Sequence, residues 1–192
     1  MMNDKAISSD AAGASVTASN SVAARMMAGG VYTVQCFDKD GNLKWEDKAH
    51  NLVVNQGLKD MNDKYFSGTT YTAAWYLGLV TGPGASTTYS ANDTLASHIG
   101  WTEFTDYSGN RKAVTFGAAT LADPSVITNS ASPASFSITG AGGTVAGAFL
   151  ANVATGTSGI LFSESDFQSP GDRAVVSGDV LNVSYTFSLD AA

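Results

Sequence analysis

Few side chains in this sequence can do chemistry. Two histidines, His50 and His98, and one cysteine, Cys36, are spread over 192 residues. A transition-metal site needs three or four such ligands at short, regular spacings. Neither histidine has a second His, Cys or acid at that spacing. The hydrolase signatures G-x-S-x-G and H-E-x-x-H do not occur. Cys36, set between Gln35 and Phe37 in a strand-like run, is expected to be a buried, inert thiol. Ser163-Glu164-Ser165-Asp166 brings two carboxylates together and reads as a solvated turn. Gly140-Ala141-Gly142-Gly143-Thr144-Val145 begins like a dinucleotide-binding loop but lacks its final small residue, and no helix follows. A turn between two strands is expected there. Asp38-x-Asp40-Gly41 begins like a calcium loop, yet its glycine comes two positions early and Ala49 stands where a bidentate Glu belongs. No catalytic residue, cofactor-binding residue or metal ligand is therefore assigned, no cofactor is expected, and the chain reads as a non-enzyme.

Composition narrows the partners. Charged residues make up 14% of the chain, against roughly 25% in ordinary soluble domains. A surface so poor in charge is expected to be covered by other protein. The net charge is −7 and the densest basic cluster is the pair Arg111-Lys112, so nucleic acid is not an expected partner. No apolar run approaches the roughly 18–20 residues of a membrane span, and Met1-Met2-Asn3-Asp4-Lys5 does not open a secretion signal. No membrane partner and assembly in a cytoplasm are expected. Between Ala113 and Ser163 the single charged residue is Asp123, among many Ala, Gly, Ser and Thr. Such surfaces suit sheet-on-sheet or edge contacts between subunits.

The elements follow from periodicity. Residues 1–28 are rich in Ala, Ser and Asn and form either a tail or an arm that orders along a partner. Val22 to Met27 is expected as a helical turn or two, broken at Gly29-Gly30. Residues 29–192 form the folded domain. Val31–Phe37 and Leu43–Glu46 predict a β-hairpin about Lys39-Asp40-Gly41-Asn42 with a two-residue turn. Asn51–Val54 is a separate short apolar run. Asn55 is placed to cap the one convincing helix, with Leu58, Met61, Tyr65 and Phe66 on its apolar face. Strands are expected at 72–80, 101–104, 113–116, 136–138, 145–150, 160–162, 174–176 and 181–189, with a helical turn at Asn92–His98. Leu181, Val183, Tyr185, Phe187 and Leu189 alternate strictly and give the clearest strand. Many short strands and one helix mean an all-β fold: an antiparallel two-sheet sandwich, jelly-roll-like or related, with one short helix and an extended N-terminal arm. Trp45, Trp75 and Trp101 have apolar neighbours and are expected in the core.

Several of these segments resemble a family of structural proteins of tailed-bacteriophage particles. They are Gly30–Val34, Asp40–Trp45, the run Asn51-Leu52-Val53-Val54-Asn55-Gln56-Gly57-Leu58, Trp75–Val80, Ala96–Glu103 and Ala174–Tyr185. The resemblance spans about residues 30–188 and carries no catalytic motif. It implies a virion structural protein, most simply a capsid cement or decoration protein packing on the major capsid protein and on copies of itself as a homo-oligomer. A tail, fibre or head-to-tail adaptor component is the alternative. A carbohydrate-binding adhesin module, using the three Trp and seven Tyr, is the second.

Overall fold

A computed structural model describes residues 27–71, 73–82, 88–167 and 171–190. Within them the chain forms β1 (Met27–Phe37), β2 (Leu43–Val53), α1 (Asn55–Tyr65), β3 (Trp75–Thr81), β4 (Thr102–Phe104) and β5 (Lys112–Val114). There follow β6 (Ser125–Thr128), β7 (Ala134–Ser137), β8 (Gly143–Ala151), β9 (Leu161–Asp166), β10 (Arg173–Val175) and β11 (Val180–Asp190). Every strand pair is antiparallel. The all-β class with one short helix is as expected.

The strands join into one open eleven-stranded sheet rather than two separate ones, in the order β4-β3-β8-β9-β2-β1-β11-β6 with β5, β7 and β10 alongside. The joint is β2. Its residues Leu43–His50 pair with β1, and its residues Asn51–Val53 pair with β9. The runs 43–46 and 51–54, read as separate pieces, thus belong to one strand, which ends at Val53. Asp47 and Ala49 are buried while Lys48 and His50 are exposed, so the alternation continues through the polar middle. Asp47 tolerates its place because Arg173 donates to it at 2.9 Å.

Both halves contribute to one core. Tyr32, Cys36, Leu181 and Tyr185 come from β1 and β11, and Leu77, Leu79, Ala148 and Leu150 from β3 and β8. A second cluster, including Val80, Leu95, Trp101, Phe149 and Leu161, lies on the opposite face of β3, β8 and β9 beneath the segment 88–101. Burial on both faces explains the continuous apolar runs in β3 and β8, where a half-exposed strand would alternate. Of the tryptophans, Trp101 is buried and Trp45 and Trp75 are half-buried against the core. β11 buries Leu181, Val183, Tyr185 and Phe187 on one face, as its alternation predicts.

Local expectations change in several places. Met27 and Ala28, assigned to the arm and to a helical turn, belong to β1, paired with Asp190 and Leu189. Gly29 and Gly30 continue that strand instead of breaking a helix. The remainder of the arm, residues 1–26, and Thr72 lie outside the described residues. The hairpin loop runs from Asp38 to Asn42, with Asp38 N–H donating to the Asn42 carbonyl at 2.9 Å, so it is longer than a two-residue turn. Asn92–His98 makes tight turns and a Thr94–Ser97 bridge, not a helical turn. Ser125–Thr128, not among the expected strands, forms β6 against β11.

The helix also differs. Val54, not Asn55, holds the N-cap position, and no side chain caps it. Asn55 is the first helical residue; its N–H donates to the Ala91 carbonyl at 2.8 Å and its amide to Asn92 at 2.9 Å. The buried face is Gly57 and Asp60, while Leu58, Tyr65 and Phe66 are exposed. The cause is contact with β9. A Cβ on Gly57 would lie 2.4 Å from the Phe162 carbonyl oxygen, so the missing side chain lets the helix backbone rest directly on the strand. Gln56 fixes that contact by accepting the Leu161 N–H at 2.8 Å.

Candidate functional site

The polar centre of the fold lies on β9, the segment read as a solvated turn. Ser163, Glu164 and Ser165 are all buried there. The register between β8 and β9 shifts after Leu150, leaving Phe162 without a partner across the ladder. Such an extra residue resets the inside–outside alternation. Phe162 packs in the main core and Leu161 in the second cluster. Ser163 turns to the main core, where its hydroxyl lies 2.7 Å from that of Tyr32 and 3.3 Å from that of Tyr185. Asn51 completes this set by donating to the Tyr185 hydroxyl at 2.7 Å.

Glu164 points the other way, under segment 88–101, and is 0% exposed. Trp101 donates its indole N–H to one carboxyl oxygen at 2.9 Å, and the Ser90 backbone N–H donates to the other at 3.1 Å. The Ser90 N–H also reaches Asp93, at 3.2 Å. Burial pushes the Glu164 carboxyl up to about 8, Asp93 adds to the rise, and the bonds from Trp101 and Ser90 oppose it. A carboxyl of that kind can move a proton near neutrality. Here both oxygens are engaged and covered, so its chemical role is to hold the segment above it. His98 stacks on Trp101 with ring centroids 3.8 Å apart and bonds the Trp101 carbonyl through Nδ1 at 3.0 Å.

The other sequence candidates are scattered. His50 is exposed on β2, on a different element from His98. Cys36 is buried in β1, and burial pushes its thiol up to about 11, with Asp179 adding to the rise. Gly140 to Gly142 forms the bend between β7 and β8, with Gly142 at φ 81°. In the hairpin loop Asp38 is occupied by its own neighbours, accepting the N–H groups of Asp40 at 2.9 Å and Asn42 at 2.8 Å. Among the described residues no group of three or more His, Cys, Asp or Glu converges as metal ligands. No described helix is long and apolar enough to cross a membrane.

Two surface features stand out. Segment 117–120 folds back along β6, with the Gly117 N–H on the Thr128 carbonyl and the Thr120 N–H on the Val126 carbonyl, both at 2.9 Å. Leu121 projects fully exposed from its end. An open apolar cavity of about 150 Å³ lies beside α1. Sequence reasoning missed both the cavity and Glu164. The signal for Glu164 was its continuity with the apolar run Ile160-Leu161-Phe162.

Comparison with known protein families, with curated proteins and with solved structures finds no match.

Proposed function

We propose that this chain is a non-enzymatic structural subunit of a tailed-phage particle, acting as a capsid cement or decoration protein on the major capsid protein and on copies of itself. The observation that carries this reading is the outer margin of the sheet. Segment 117–128 has one charged residue, Asp123, and presents a fully exposed Leu121 near its middle. Sheet margins of free proteins are usually guarded by charge, because an unguarded one recruits further chains. A margin left bland and apolar is suited to being covered. The sequence resemblance to phage structural proteins points the same way, and the low overall charge agrees with it. Location in a tail, fibre or adaptor is the alternative.

Quantitative mass spectrometry of purified particles tests the proposal. Copy numbers in the hundreds favour the shell, and about six or twelve copies favour the tail. Absence of the chain from particles overturns the reading. Within the shell reading, Leu121→Asp lowers occupancy on the particle while leaving the free protein folded.

A further inference from the structure

Segment 88–100 is a loop whose two ends meet. Thr88 donates its N–H to the Gly100 carbonyl at 3.1 Å, and a Cβ on Gly100 would lie 2.0 Å from the Thr88 carbonyl oxygen. Between these feet the regular structure is the Thr94–Ser97 bridge. Leu95 on its underside is wholly buried and packs in one cluster with Val80, Phe149 and Leu161. A compact loop with closed ends is a unit that can open apart from the rest of a fold.

Polar anchors to the body lie on two sides. The Asn55 N–H and side-chain amide, at the start of α1, bond Ala91 and Asn92. On the other side stands Glu164, which accepts from Ser90 inside the loop and from Trp101 just beyond it. The Ser90 N–H is shared between Glu164 at 3.1 Å and Asp93 at 3.2 Å. The Asp93 and Glu164 carboxyls are themselves within hydrogen-bonding reach of each other. Ionising both would set two negative charges together with one N–H between them. A proton on Glu164 replaces that repulsion with an O–H donated to Asp93.

Among the described residues, the elements packed around Glu164 bring no unpaired fixed cation to it. β3 and β8 carry no charged residue, and the charges of α1 pair with each other, Lys59 with Asp63 and Lys64 with Asp60. On β2, Asp47 pairs with Arg173, Lys48 with Glu46, and His50 is exposed. Asp166 lies two residues along β9, and His98 stacks on Trp101. Tyr89 of the loop and Tyr32 of β1 also face Glu164, and burial holds both phenols neutral.

We propose that loop 88–100 is a proton-latched lid on the second apolar cluster: a proton held between Glu164 and Asp93 keeps it shut, and loss of that proton lets the loop lift as a unit while the rest of the sheet stays folded. The lifted state uncovers Val80, Phe149 and Leu161, an apolar surface that the closed protein withholds from its neighbours. Glu164 keeps its proton up to about 8 in the closed protein, against an ordinary 4.5. The lid is therefore held most firmly below about 4.5, and opening becomes up to about tenfold easier per pH unit until about 8. This device goes beyond the assembly role and does not depend on it.

Amide-resolved hydrogen exchange of the full chain tests the lid, read as protection factors at Ser90 and Asn55, whose bonds to Glu164 and Ala91 break when the loop lifts. Both amides are expected to be less protected than those of β1 and β11, and insensitive to low urea. Their protection falls at least tenfold between pH 5.5 and 8. Glu164→Gln abolishes that fall, and Asp93→Asn, whose amide can donate to an ionised Glu164, reduces it at least threefold. Exchange of Ser90 and Asn55 in step with β1 and β11, at the same urea dependence, overturns the lid, because the loop then opens only when the whole protein does. Local exchange that ignores pH, or a fall that survives either substitution unchanged, overturns the latch.

Discussion

Trp101 and Glu164 lie 63 residues apart in sequence, yet the indole N–H of one donates to the carboxyl of the other at 2.9 Å, entirely out of water. That bond fastens segment 88–101 over the second apolar cluster, whose members Leu95, Phe149 and Leu161 would otherwise meet solvent.

Stability should fall as pH rises through neutrality. The Glu164 carboxyl is held near 8, above its ordinary 4.5, chiefly by burial. Between these values the unfolded chain has lost a proton that the native protein keeps. The linked contribution is therefore fully present below about 4.5 and lost as pH approaches 8, with a slope of about 1 kcal/mol per pH unit. Urea unfolding at pH 5, 6.5 and 8 measures it. Glu164→Gln should flatten this slope, and an unchanged slope in that variant would assign the effect to other groups.

Gly57→Ala should destabilise, although the same change in an exposed helix gains about 1 kcal/mol. The new methyl would sit 2.4 Å from the Phe162 carbonyl oxygen, forcing α1 off β9. A loss of about 1–3 kcal/mol is expected, the usual cost of overpacking. A stability gain in thermal melts would show that the helix is not docked through this residue.

Tyr185→Ala should cost about 3–5 kcal/mol. The ring is wholly buried and packs 4.5 Å from that of Tyr32, and its hydroxyl joins Asn51 and Ser163. Ser184→Ala, on the other face of β11, should cost much less. Equal costs in chemical denaturation would mean that both faces are covered.

Cys36 should resist thiol reagents in the folded protein. It is buried, and its thiol is pushed up to about 11, so almost no thiolate is present at pH 8. Labelling by an aromatic disulfide should follow the unfolding curve in urea. Rapid reaction without denaturant would contradict the burial.

The parts of this fold that obey a simple period were readable in the sequence. β11 and β1 bury alternate residues, and the burial pattern matches the letter pattern. Reading failed where tertiary contact overrides local preference. Ser163-Glu164-Ser165 carries turn-like letters, but it is enclosed between β8 and β2, and donors from Ser90 and Trp101 satisfy its acid. Those donors come from distant segments, and no local pattern announces them. The helix misled for a related reason: its docking side is marked by a missing side chain, Gly57, whereas hydrophobicity singled out Leu58, Tyr65 and Phe66. Val126-Ile127-Thr128 did carry the β-branched letters of a strand.

The pairing of β1 with β11 has a consequence for how the chain comes to be folded. Met27 lies opposite Asp190 and Phe37 opposite Val180, so the first strand described is completed by the last strand described. β2 in turn carries the sheet onward to β9. A ribosome must therefore make residues 180–190 before β1 gains its second neighbour, whereas β2, β3, β8 and β9 are complete by residue 166. Until then β1 has only β2 beside it. Folding of this kind is dominated by distant contacts and is slow compared with helical proteins of equal size. The β11-facing edge of β1 therefore stays unpaired while residues 38–179 are made.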